Sequence, residues 1–225
     1  MPDTQTLCAN KAGGEKLTYS PQIRRRSLLD HPFYTRWVAG ELSLGELQEY
    51  ARQYLHVVVA LPKWLRRAAI GARNAELIDH AIEEEGHVEL WLKFAAALGL
   101  PALSLSAPTP NLETAALLRD GDRFSREPAG AAVSWAIELQ AAAVSEQKLH
   151  GLAAWYGIEA HSGGDYFDLH RTLDLAHAAE LEALVNTFDP DTKARSQHIA
   201  EVMTEHQWQL LSSVESSLTS LTLAG

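Results

Sequence analysis

The chain has 225 residues, 46% of them hydrophobic, and a formal charge of −10 from 19 basic and 29 acidic side chains. That length suits one compact domain of about 100–250 residues with a substantial core, and such an acidic surface repels phosphate backbones, which argues against nucleic acid as a partner. No apolar run approaches the ~18 residues of a membrane helix, the polar start MPDTQTLCANKAGGEKLT is neither a secretory signal nor a transit peptide, and a single cysteine excludes an internal disulfide and a thiolate-rich metal site, so a cytoplasmic setting is expected.

Residues 1–18 read as a disordered tail that contains Gly13-Gly14 and Cys8, with one domain over 19–225. Ser20-Pro21 reads as a helix start, and Asp30-His31-Pro32 as its end. Phe33–Ala39 forms a short helix closed by Gly40. Ser43-Leu44-Gly45-Glu46 is a capping box opening a long helix whose apolar stripe runs through Leu47, Tyr50, Ala51, Tyr54, Leu55 and Val58. Pro62 is expected to kink or restart it. A helix capped by Asn74 runs to Leu98 and stops at Gly99. Pro101, Pro108 and Pro110 mark a loop, and Asn111 starts a short helix. Pro128 to Tyr156 reads as one long alanine-rich helix, Tyr166 to Phe188 as the next, and Asp191 caps a final helix reaching about Leu218. Strand-like alternation is almost absent, so the expected class is all-α, a bundle of about seven or eight helices.

The chemistry lies in the histidines and acids. His170-x3-Asp174-x2-His177 sits at i, i+4 and i+7, which places two imidazoles and a carboxylate within roughly 40° on one helix face. The neighbours Leu169, Leu173, Ala176 and Leu181 turn that face inward. A carboxylate buried without compensation costs several kcal/mol, and a metal is one compensation; a salt-bridged or solvent-facing stripe is the other reading. Glu84-x2-His87 is an i, i+3 pair of the kind that di-iron bundles use. It lies in an acidic run, Glu83-Glu84-Glu85, that leads into the apolar stripe of Leu90, Trp91 and Phe94. Glu138 is a lone acid in the most apolar helix of the chain and needs a metal, or a lysine or arginine partner. His80, one turn before Glu84, is a candidate support for the metal ligands rather than a ligand. Oxygen and nitrogen donors without thiolate suit iron or manganese better than structural zinc.

At these residues the chain resembles the haem-oxygenase-like di-iron oxidases, and within them the p-aminobenzoate synthases of the death-domain-associating-protein type. The resemblance spans about residues 25–185. It rests on His31-Pro32-Phe33-Tyr34-Thr35-Arg36-Trp37, Tyr50-Ala51-Arg52-Gln53-Tyr54, Glu89-Leu90-Trp91, Ile137-Glu138-Leu139-Gln140, Lys148-Leu149-His150-Gly151-Leu152 and the His170–His177 motif. It implies a haem-oxygenase-like helical domain, six metal ligands (Glu84, His87, Glu138, His170, Asp174 and His177), two iron ions or an iron–manganese pair, dioxygen as cosubstrate, an external reductant and a homodimer. It also implies that Tyr34 is a ring source consumed by the reaction, that Lys148 is an amino donor, and that Tyr166 lies near the metals. Two departures are visible. Only two residues separate Glu84 from His87 where that branch has a longer insert, and Ile137 replaces a tyrosine. An oxidase of an external small substrate, with a pocket of Trp37, Tyr54, Phe94, Trp135 and Ile137, therefore stays open, as does a metal-free oxidase like the pyrroloquinoline quinone synthases.

Overall fold

The computed structural model describes residues 23, 25–100 and 109–222, with side chains to residue 215. The expected tail, Cys8, the Ser20-Pro21 start and most of the proline loop lie outside the described residues. A 3-10 turn, Leu28–Asp30, leads into α1, Pro32–Ala39. The His31 imidazole accepts a hydrogen bond from the Phe33 N–H and caps α1, whose proline needs no donor at that position. Gly40 ends it at φ 72°, a left-handed turn that costs glycine little. The Ser43–Glu46 capping box then opens α2, Leu44–Ala72. Pro62 does not restart this helix, which runs through it for 29 residues.

α3 is Glu76–Ala97, and the Asn74 side chain accepts from its first N–H. α4 is Leu112–Phe124, capped by Asn111 through the Thr114 N–H. The single helix expected over Pro128–Tyr156 is three pieces: α5, Ala131–Glu138; α6, Ala141–Gly151; and a π-helical turn, Leu152–Tyr156. The break after Glu138 has a local cause. Gln140 bends out of helical continuity at φ −113°, and its side chain accepts the Leu28 N–H and donates to the Arg26 carbonyl. α7 is Asp165–Asn186 and α8 is Pro190–Thr222. The cap of α8 is Asp189 rather than Asp191: its carboxylate accepts from the N–H groups of Asp191 and Thr192.

The described residues form eight α-helices and no strand, the all-α bundle expected. α2 pairs with α3, α6 with α7, and α8 with α4 and α5, while α5 also packs on α2 and α7. α5 is the innermost element, with every residue buried. Three tryptophans lock the layers together. The indole N–H of Trp91 donates to the Ala51 carbonyl, that of Trp37 to the Lys148 carbonyl and that of Trp64 to the Asp122 carboxylate. All three are fully buried, where such a side chain removes about 150–250 Å² from water. No helix among the described residues is long and apolar enough to cross a membrane.

Candidate metal centre

α7 packs against both α3 and α5, and their facing sides carry every ligand expected from the sequence. All six converge: Glu84 and His87 from α3, Glu138 from the end of α5, and His170, Asp174 and His177 from α7. A seventh donor joins them. His80 brings its Nε2 to 3.1 Å from Glu138 Oε1 and its ring centroid to 3.7 Å from that of His177. All seven are buried, from 0% exposed for Glu84 to 8% for His87.

The donor atoms fall into overlapping triads, each with its three atoms within 4.8 Å of one another: His80, Glu138 and His177; Glu84, His87 and His170; and Glu84, Asp174 and His177. Glu84 thus belongs to two of them. Within helices, His87 Nδ1 lies 3.1 Å from Glu84 Oε1, and His170 Nδ1 lies 2.8 Å from Asp174 Oδ1. His177 is turned by a residue on the rim: its Nε2 lies 3.1 Å from the half-exposed Glu83 carboxylate, which leaves Nδ1 facing inward.

The arrangement calls for a cation. His80 Nε2, Glu84 Oε2, both Glu138 oxygens, His170 Nε2 and His177 Nδ1 are buried without a hydrogen-bond partner. Among the described residues the ion-pair partners of Glu84, Glu138 and Asp174 are imidazoles, not arginine or lysine. Burial, and then the charges of Asp174 and Glu84, push the Glu138 carboxyl well above its usual range. Burial also lowers His80, and lowers His177 with the His80 charge adding to it. For His170 burial works the same way, but Asp174 outweighs it and the imidazole is raised. Glu84 is lowered: burial opposes ionisation, yet the His87 hydrogen bond and the neighbouring imidazoles prevail. Unpartnered lone pairs aimed at one another in an apolar core are costly, and a metal ion would satisfy them. This nitrogen and oxygen set without sulfur fits iron.

A narrow cavity adjoins the cluster. Asp174, Tyr34, Tyr54, Ile137, Lys148 and Tyr166 are among its lining residues. Its volume is about 30 Å³, room for roughly one water. Tyr166 also stacks near His170, with ring centroids 4.1 Å apart. Lys148 is buried, with ring faces around its Nζ at 4.8 Å (Tyr50), 5.0 Å (Tyr34) and 5.2 Å (Phe167). Burial lowers the Lys148 amine well below the usual lysine range, which favours the neutral nitrogen over the ammonium. It donates a short hydrogen bond to the Tyr50 hydroxyl, and Tyr50 in turn is hydrogen-bonded to Tyr34. Burial raises the Tyr34 phenol and keeps it protonated. Of the residues expected around an external substrate, Tyr54 and Ile137 line the cavity; Trp37 and Phe94 are packed in the aromatic core.

The place of His80 is also legible in the spacing. His80-x3-Glu84-x2-His87 on α3 repeats the pattern of His170-x3-Asp174-x2-His177 on α7. Glu83, hidden in an acidic run, had no comparable signature.

Comparison with known proteins bears on this centre. Residues 48–207 match the family described as iron-containing redox enzymes. A 4-aminobenzoate synthase of Chlamydia muridarum is 30% identical over 207 residues, covering 85% of this chain and 86% of that protein. A 4-aminobenzoate synthase of Nitrosomonas europaea is 31% identical over 198 residues, covering 79% and 80%. A solved domain of unknown function with a haem oxygenase-like fold, from Shewanella denitrificans, superposes with a TM-score of 0.76 at 18% identity, covering 89% of this chain and 90% of that one.

Proposed function

Since the chain belongs to the family of iron-containing redox enzymes and is an oxidoreductase, we propose that it holds two iron ions between α3, α5 and α7 and forms 4-aminobenzoate from its own Tyr34 and Lys148. The observation that carries this reading is the cavity. An external organic substrate needs a pocket of about 300 Å³ or more, whereas the space beside Asp174 is about 30 Å³ and is walled by Tyr34 and Lys148 themselves. A reaction on residues already in place needs no such pocket. The relatives named 4-aminobenzoate synthase support the same product. The buried Glu84 Oε2 and Glu138 oxygens, which lack a hydrogen-bond partner, speak against the metal-free alternative.

Iron bound here would supply dioxygen-driven oxidation, with an external reductant closing the electron balance. The protein does the rest. For the product to form, the Lys148 nitrogen would bond to the ring carbon that carries the Tyr34 phenol oxygen, and that oxygen would leave as water. The Lys148 Nζ–Cε and Tyr34 Cα–Cβ bonds would break, and Tyr34 Cβ would be oxidised to the carboxylate with dioxygen as the oxidant. The Lys148 nitrogen, whose protonation burial disfavours, lies 5.0 Å from the centroid of the Tyr34 ring. Tyr50 fixes the two relative to each other, accepting an N–H of Lys148 while it is hydrogen-bonded to Tyr34. A proton can pass along that line without bulk water. The aromatic walls exclude solvent that would quench an oxidised ring.

The test uses protein labelled with ring-¹³C tyrosine and ¹⁵N-lysine, loaded with ferrous iron without oxygen and then given oxygen and reductant. The expected result is released 4-aminobenzoate carrying both labels and loss of the intact Tyr34 peptide. Unlabelled product together with an unaltered Tyr34 would sink the proposal. Tyr34→Phe should abolish product while keeping two metals per chain.

A further inference from the structure

We infer that His80 is a seventh protein ligand, which completes, with Glu138 and His177, one of the two metal positions. This rests on the binuclear reading above and adds a residue to it. The first observation is contact without a bond. His80 Nε2 lies 3.1 Å from Glu138 Oε1, yet both atoms lack a hydrogen-bond partner, so the approach is not held by a shared proton in good alignment. The His80 and His177 rings are 3.7 Å apart, and His177 Nδ1 is also unpartnered. Two buried imidazoles and a carboxylate thus point unsatisfied atoms at one another within 4.8 Å. Ligands at about 2.1 Å from a cation stand at most roughly 4.2 Å apart, so a small contraction seats a metal.

The second observation is the repeated register. His80, Glu84 and His87 occupy i, i+4 and i+7 on α3, as His170, Asp174 and His177 do on α7. His87 faces His170 at 4.8 Å between ring centroids, and His80 faces His177 at 3.7 Å, so the two helices cross the site in opposite directions. Each helix therefore offers one imidazole to each position and one carboxylate between them. With His80 left out, one position has two imidazoles and the other has one. Among the described residues the ion-pair partners of Glu138 are His80 and His177, both of one position, which makes the two positions chemically distinct.

Cobalt(II) is the probe, titrated into the full chain and followed by ligand-field absorbance and by ¹H NMR. Each coordinated imidazole contributes one strongly shifted, exchangeable N–H resonance from its outer nitrogen. The wild-type chain should bind two cobalt ions and show four such resonances. In His80→Asn one position should weaken at least tenfold, the other should keep its affinity, and one resonance should vanish. Two unchanged affinities with no resonance lost would overturn the assignment. Should the variant fail to fold, the wild-type count decides: four resonances support His80, and three with two cobalt ions bound reject it. A wild-type chain that cannot take up two cobalt ions would reject the binuclear reading itself, a result distinct from the failure of His80 alone.

Discussion

Lys148 is enclosed by the rings of Tyr34, Trp37, Tyr50, Tyr54 and Phe167, with the Tyr50 hydroxyl as its hydrogen-bond partner. Its folded pKa lies well below the usual lysine range because burial penalises the ammonium. The unfolded chain therefore binds more protons above the folded pKa, and stability rises with pH towards the unfolded value. Burial of this side chain is a cost to the fold whichever form it takes, and between the folded and unfolded pKa values that cost is the deprotonation of the amine. Lys148→Met should then be more stable than the parent at pH 7. Its advantage should shrink by up to about 1.4 kcal/mol per pH unit as the pH rises towards 10. Urea denaturation at pH 7 and 9.5 checks this; a gap independent of pH would mean that the folded amine carries its proton. The sequence alone could show the His170–His177 motif, because register within one helix is local geometry. The expectation for Lys148 comes only through resemblance, since burial among aromatic rings from several helices is a tertiary fact.

At the scale of elements, the break between α5 and α6 decides where Glu138 ends up. A continuous helix was the natural reading of an alanine-rich segment without proline or glycine between Ala131 and His150. Helix propensity is weak beside tertiary demands, and here Gln140 leaves the helical path to serve the backbone of Arg26 and Leu28. Most other boundaries were legible, as at Ser43, Asn111 and Gly40, because caps are written in neighbouring residues. Pro62, which breaks no helix in the folded chain, shows the converse. The α1–α6 contact depends on Gly151: a Cβ there would meet Trp37 Cδ1 at 2.7 Å and the Trp37 carbonyl oxygen at 3.0 Å. Trp37 is wholly buried and hydrogen-bonded to the Lys148 carbonyl, so it has little room to give. Gly151→Ala should cost about 1–3 kcal/mol in chemical denaturation; an unchanged midpoint would show that the two helices can separate freely.

For the whole molecule, three helices far apart in the chain meet on seven buried polar side chains. Metal that binds the native state alone stabilises by about 2.7 kcal/mol at a hundredfold excess over its dissociation constant. Ferrous or cobaltous ions should therefore raise Tm, and a chelator should reverse the gain. The sign with pH follows from Glu138, whose raised carboxyl must give up its proton to bind, so the increment should be larger at pH 8 than at pH 6. Melting curves with and without chelator at both pH values measure it, and overlapping curves would refute it. The recess beside Asp174 bears on traffic as well as on chemistry. A space of about 30 Å³ admits a diatomic gas but turns away any ring-bearing electron carrier. Were electrons to come from such a carrier, they would cross protein rather than arrive by collision. The Glu83 carboxylate, its side chain 56% exposed and 3.1 Å from His177, is one spot where a single side chain separates the solvent from the buried cluster.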